Sequence, residues 1–181
     1  MNALSEAPLA CACVVAFAAA WTDAKTGRMP NALTLPAIPL GMLFGGLNGG
    51  WIGVGSSALG ALLCVCVPVI LFYSSRGGAI GGGDVKLFGA LGSLLGPSAG
   101  LEVELASLVL LAIFALVVLT WRGLLWDMLR RTFWIAVNWA LPKERRRNVE
   151  PEQMVMMRMG PAICVATWGF ATLQYLPYLL S

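Results

Sequence analysis

The sequence predicts an all-α membrane protein of about six transmembrane helices, with an amphipathic helix at the cytoplasmic face. Three observations predict it. Of the 181 residues, 59% are hydrophobic and only 12% are charged, with a mean hydropathy of +0.80. A soluble domain is typically about half apolar and a quarter charged, so this excess cannot all be buried inside one water-facing domain. Apolar runs near membrane length recur along the chain. Finally, the layout they imply gathers every basic residue on one side.

The elements follow in order. The N-terminal stretch MNALSEAPLACACVVAFAAAW carries Glu6 as its only charged side chain. A cleavable signal peptide has a basic n-region, so an uncleaved first span, Leu4 to Trp21, is expected. The second span runs from Leu33 to Leu47, just after Pro30-Asn31, since proline suits a helix's first turn. The third runs from Trp51 to Tyr73. The fourth, Val85 to Leu95, is closed by Gly96-Pro97. A crossing needs about 20 apolar residues, so this span must tilt or be partly buried in protein. The fifth runs from Leu105 to Trp121 and the sixth from Met159 to Leu179. Between those two, residues 122–158 interleave Trp and Phe with Arg around an apolar stretch too short to cross. This pattern fits an interfacial amphipathic helix ending in a basic cluster on an anionic leaflet.

All twelve bases, from Lys25 to Arg158, fall on one side of this layout. The opposite side holds Glu6, Glu102 and Glu104. Cytoplasmic loops carry the Lys/Arg excess, so both termini are expected outside the cytoplasm, with Asp23 and Asp84 at the cytoplasmic face. Membrane lipids are the expected surroundings. The run Lys143 to Arg147 follows from the same charge rule, so no nucleic-acid partner is expected.

There are no histidines, which removes Ser-His and Cys-His catalysis and histidine-ligated metals. The cysteines (11, 13, 64, 66 and 164) lie in apolar runs with C-x-C spacing, not as paired zinc-type C-x-x-C. They are expected to pack as small apolar residues. Glycines at four-residue spacing, Gly41, Gly45 and Gly49, then Gly92, Gly96 and Gly100, suggest close helix approach in lipid.

Asp23 and Asp84 remain as candidates for chemistry. They share a local pattern, Asp23-Ala24-Lys25 and Asp84-Val85-Lys86, and each borders a span. Two carboxylates brought together cannot easily both ionise, so one keeps a proton. The ionised member can then draw a proton from water while the other donates to a carbonyl oxygen. The pair can thus hydrolyse an amide without histidine, metal or cofactor. Gly81, Gly82 and Gly83 would give an extended peptide room to approach. Lys25 and Lys86 serve equally well as membrane anchors or as tuners of the aspartates.

Gly81-Gly82-Gly83-Asp84-Val85-Lys86-Leu87 resembles the G-x-G-D-x-K-L signature of the type IV prepilin peptidases, a family of intramembrane aspartyl proteases. Asp23, followed by Gly27-Arg28-Met29-Pro30-Asn31, resembles that family's first-aspartate motif. Gly160-Pro161-Ala162 resembles its proline-containing third motif. The resemblance covers about Val14 to Trp168 and implies a single transmembrane peptidase domain over residues 1–181. It implies an aspartic endopeptidase that cuts the leader from prepilins or pseudopilins at the cytoplasmic face of the bacterial inner membrane. Asp23 and Asp84 would be the catalytic pair, Gly81 and Gly83 would shape the site, and Lys86, Pro30 and Asn31 would lie beside it. The larger members carry a further cytoplasmic domain, often with paired C-x-x-C, and methylate the new N-terminus. This chain has neither feature before Asp23, so it resembles the short peptidase-only branch serving Flp or Tad-type pili.

Other protein classes fit these residues less well. Presenilin-like and signal-peptide-peptidase-like proteases share G-x-G-D but place an aromatic before the first aspartate, where this chain has Thr22. A proton-coupled transporter would want its acids near the bilayer midplane. A pilus assembly subunit would leave both acids inert.

Overall fold

The computed structural model describes residues 3–74, 80–123, 126, 130 and 159–179. The elements are α1 (Ala3–Thr26), α2 (Asn31–Ser74), α3 (Gly82–Leu95), α4 (Pro97–Trp121) and α5 (Gly160–Leu179). The amphipathic helix expected over 122–158 lies almost wholly outside the described residues. The chain forms two compact units that divide within α4. The first holds the described residues up to Leu110 together with 159–179, and the second begins at Leu111.

Among the described residues, three helical stretches are long and apolar enough to cross a membrane: Glu6–Thr26, Asn31–Tyr73 and Pro97–Trp121. Large apolar side chains along them, including Val14, Phe17, Leu47, Leu62, Ile70 and Val109, are exposed. Such a surface suits lipid.

The second stretch is two helices joined at a sharp break. Gly49 (φ −140°, ψ 15°) and Gly50 (φ 58°, ψ −144°) leave helical geometry, and the positive φ of Gly50 favours glycine. Residues 31–48 and 51–74 then pack against each other. A Cβ on Gly53 would fall onto the Gly45 carbonyl oxygen, and Ser57 Oγ donates to Gly41 O at 3.1 Å.

α3 spans roughly 20 Å, short of the ~30 Å hydrocarbon core. Protein surrounds it instead of lipid: every residue from Leu87 to Leu94 is buried. It lies parallel to the first half of α2, with Lys86 against Asn31 and Ser93 Oγ donating to Ile38 O at 2.8 Å. It lies antiparallel to the second half, where Gly89 meets Val65 and Gly92 meets Gly60. α1 presents a narrow seam of Ala12, Ala16 and Ala19 to the interior and packs on α5, α2 and α3. Small side chains let backbones approach, and dispersion then holds them where lipid supplies no hydrophobic drive.

Several expectations need correcting. The first helix runs on past Trp21 to Thr26 and the third starts at Gly82 rather than Val85, so Asp23 and Asp84, expected at helix ends, fall in the last turn of α1 and the first turn of α3. Gly82 and Gly83 are helical too. The fifth span begins eight residues earlier than expected, at Pro97, because Gly96 (φ +81°) breaks the chain and proline suits the first helical position. Glu104 is therefore a buried helix residue, 1% exposed, and not part of an outer loop. The spaced glycines do not form continuous packing faces. Gly41, Gly45, Gly92 and Gly100 lie at close contacts, whereas Gly49 and Gly96 are break points.

Candidate active site

α1 ends in a left-handed glycine cap. Gly27 has φ +65° and its N–H donates to Asp23 O at 2.8 Å, a common C-terminal helix stop. The Thr26 hydroxyl accepts the Arg28 N–H at 3.3 Å. The Pro30 carbonyl then accepts the Leu33 N–H at 3.1 Å and starts α2. This short connection carries Asn31 to α3, where Lys86 Nζ donates to Asn31 Oδ1 at 2.8 Å. The structure thus joins Pro30-Asn31 and Lys86, residues of two motifs far apart in sequence.

Both aspartates point inward, Asp23 at 6% exposure and Asp84 at 9%. Each is held by a glycine amide. Gly160 N–H, at the start of α5, donates to Asp23 Oδ2 at 3.1 Å. Gly81 N–H donates to Asp84 Oδ2 at 3.0 Å. A methyl on Gly160 would sit 2.8 Å from Asp23 Oδ2, and one on Gly81 would sit 3.1 Å from Asp84 Oδ2. Gly83 is tight for a different reason: its added Cβ would meet Met29 Cβ at 2.9 Å. The glycines therefore seat the acids and the α1–α2 connection. Gly82 has open space around it.

An acid three residues into a helix that reaches back to the N-cap amide is an ordinary capping arrangement, and this alone would account for one oxygen of Asp84. Its electrostatics go further. Burial is the largest influence and pushes the Asp84 pKa up to about 6; the Gly81 N–H opposes this, and the charge of Asp23 adds to it. Asp84 therefore feels the charge of Asp23, although the two come from different helices.

The lysines do not act on the acids directly. Residues two apart on a helix do not share a face. Lys25 accordingly turns outward, with Nζ 4.3 Å from the centre of the Trp21 ring, and Lys86 turns to Asn31. Among the described residues, no three Cys, Asp or Glu side chains converge as a metal site would require. The Gly160 amide as a ligand of Asp23 was not legible in the sequence, because it depends on where α5 begins in space. Its only signal was the position of Gly160 within the third motif.

The family model described as the type IV leader peptidase family matches residues 10–120, which include both aspartates. The chain belongs to the type IV leader peptidase family. Among curated relatives, a prepilin leader peptidase/N-methyltransferase from Neisseria gonorrhoeae is 34% identical over 139 residues, covering 66% of this chain and 47% of that protein. Proteins of the same description from Pectobacterium carotovorum subsp. carotovorum and Burkholderia pseudomallei (strain 1026b) are 36% and 38% identical. They match over 56% and 62% of this chain, and 37% of each relative. The chain thus matches less than half the length of these relatives. No solved structure matches it. As a leader peptidase family member, it carries Asp23, Pro30-Asn31 and Gly81 to Leu87 within the matched region, whereas Gly160 lies beyond it.

Proposed function

We propose that this chain is a prepilin leader peptidase that hydrolyses the leader of a type IV prepilin or pseudopilin, of the Flp-like kind, using Asp23, Asp84 and water. The observation that supports this reading is that Asp23 and Asp84, on separate helices, are both buried and each accepts a glycine amide N–H through one oxygen. Asp84 is assigned the proton. In the first step Asp23 takes a proton from water as its oxygen bonds to the scissile carbonyl carbon, and Asp84 gives its proton to the carbonyl oxygen. In the second step the tetrahedral diol collapses: the C–N bond breaks, the leaving nitrogen takes the proton held by Asp23, and a hydroxyl proton returns to Asp84. The pair is then restored.

The wider reading is a single peptidase domain in the bacterial inner membrane, with about six spans, both termini outside and the site at the cytoplasmic face. Residues 122–158 would lie on the anionic leaflet. Gly81, Gly83, Pro30, Asn31 and Lys86 would shape the site around the substrate. No nucleic-acid partner or cofactor enters the scheme.

The test is cleavage of a co-expressed prepilin, read by gel shift, for wild type, Asp23→Asn and Asp84→Asn, each verified as membrane-inserted. Cleavage by wild type and its loss in both variants is the expected result. Normal cleavage by either variant would remove the dyad.

A further inference from the structure

Among the described residues, every buried helix hydroxyl but one has a hydrogen-bond partner. Thr22, Ser107, Thr120 and Thr167 each donate back to a carbonyl one turn earlier on their own helix. Ser57 and Ser93 donate across to carbonyls elsewhere in the fold. Thr34 does neither. It is 1% exposed, yet its Oγ1 has no hydrogen-bond partner among the described residues. A back-bonding partner is available in sequence, since Pro30 O lies four residues earlier and accepts the Thr34 N–H at 3.5 Å. The side chain does not take it.

The position of Thr34 gives this meaning. It sits one turn beyond Asn31, which meets Lys86, and seven residues before Gly41, which packs on Ser93. Residues at these spacings share a helix face, so Thr34 lies on the face of α2 that meets α3. It lies one turn inside the Asn31–Lys86 contact and, in the register set by the Asn31–Lys86 and Ile38–Ser93 contacts, level with Gly89 in the buried stretch of α3. A buried hydroxyl without a partner is destabilising. Valine has nearly the same shape and would avoid that cost.

We infer that Thr34 is a substrate-positioning residue whose hydroxyl pairs with a backbone peptide group of the prepilin when the cleavage segment enters beside α3. This rests on the peptidase reading above. Before substrate arrives the hydroxyl is left without a partner. With substrate bound, it holds the extended chain in register with Asp23 and Asp84. Thr34 transfers no proton in the reaction.

The test compares wild type, Thr34→Val, Thr34→Ala and Thr34→Ser in detergent, measuring thermal unfolding together with kcat and KM on a purified prepilin. Thr34→Val is expected to unfold at a temperature equal to or above that of wild type, yet to lose about tenfold in kcat/KM, the scale of one lost hydrogen bond. Thr34→Ala should lose activity similarly, and Thr34→Ser should restore most of it. Wild-type kcat/KM in Thr34→Val or Thr34→Ala would overturn the inference. So would clear destabilisation by valine, which would mean the hydroxyl is already paired, or equal loss in Thr34→Ser, which would assign the effect to methyl packing. If wild type itself does not cut while remaining folded, the peptidase reading fails and this inference falls with it. If wild type cuts and Thr34→Val cuts equally well, only the inference fails.

Discussion

Gly160 has no room for one more carbon. Its amide is the described hydrogen-bond donor to Asp23, and a methyl there would press on the Asp23 carboxylate and on Ala20 Cα. A displacement of well under an ångström at a catalytic group is costly when the reacting atoms must be aligned. Gly160→Ala is therefore expected to reduce prepilin cleavage at least about tenfold while leaving membrane insertion intact. Gly81→Ala should be milder, because its methyl has slightly more space. Quantitative cleavage assays on both variants would rank them. Asp84 supplies a pH prediction. Its raised pKa means the folded protein holds a proton between about pH 4 and 6 that an unfolded chain releases. Stability from this group is full below about pH 4 and is lost as pH rises through about 6. With Asp84 as the proton donor, kcat/KM is expected to fall on the alkaline side of about pH 6, as a property of the pair. A flat profile from pH 5 to 8 would contradict that assignment.

Single elements carry their own tests. Glu104 lies on α4 with both carboxyl oxygens buried, and its neighbour among the described residues is the Cys64 thiol. That thiol also crowds Gly92 and Gly100. Replacing a buried ionisable group by an apolar one of similar size is often neutral or stabilising. Glu104→Met is thus expected to raise the unfolding temperature in detergent by a few degrees, and a fall would reveal a partner for the carboxyl. At the α2 hairpin, Gly53→Leu is expected to separate the two halves, because even a Cβ there meets the Gly45 carbonyl. Loss of folded protein in size-exclusion chromatography would register it. The hairpin itself was legible: Gly49-Gly50 punctuates two apolar runs, and glycine pairs mark turns. The buried faces were not. These helices are apolar nearly all round, so no stripe in the sequence distinguishes the side facing protein from the side facing lipid. Glu104 and Thr34 were missed for that reason, since their burial depends on which neighbour covers them.

At the scale of the whole molecule, Asp23 and Asp84 stood out as candidates because chemistry leaves few options in a chain without histidine. The protein packing around Asp84 was not legible, because it depends on how the helices around the short α3 are arranged. The orientation remains to be measured. Single cysteines placed at Gly27 and at Gly50, in a background lacking the five native cysteines, would be labelled in intact cells with a membrane-impermeant maleimide. Labelling at Gly50 but not at Gly27 is the expected result. The reverse pattern would invert the proposed topology.

The short third helix has a consequence for how the protein meets membranes of different thickness. A lipid-facing helix tilts or shifts when the bilayer thins or swells. α3 is shielded from lipid by its neighbours and tied to the first half of α2 at two levels, Lys86 to Asn31 and Ser93 to Ile38. Asp84, at its tip, therefore takes its depth from the protein scaffold. With Asp84 catalytic as proposed, the site would act as a fixed ruler carried by a floating frame. The bond presented to it would then be chosen by the substrate's distance from that scaffold, and the cut should fall at the same residue in short-chain and long-chain lipid.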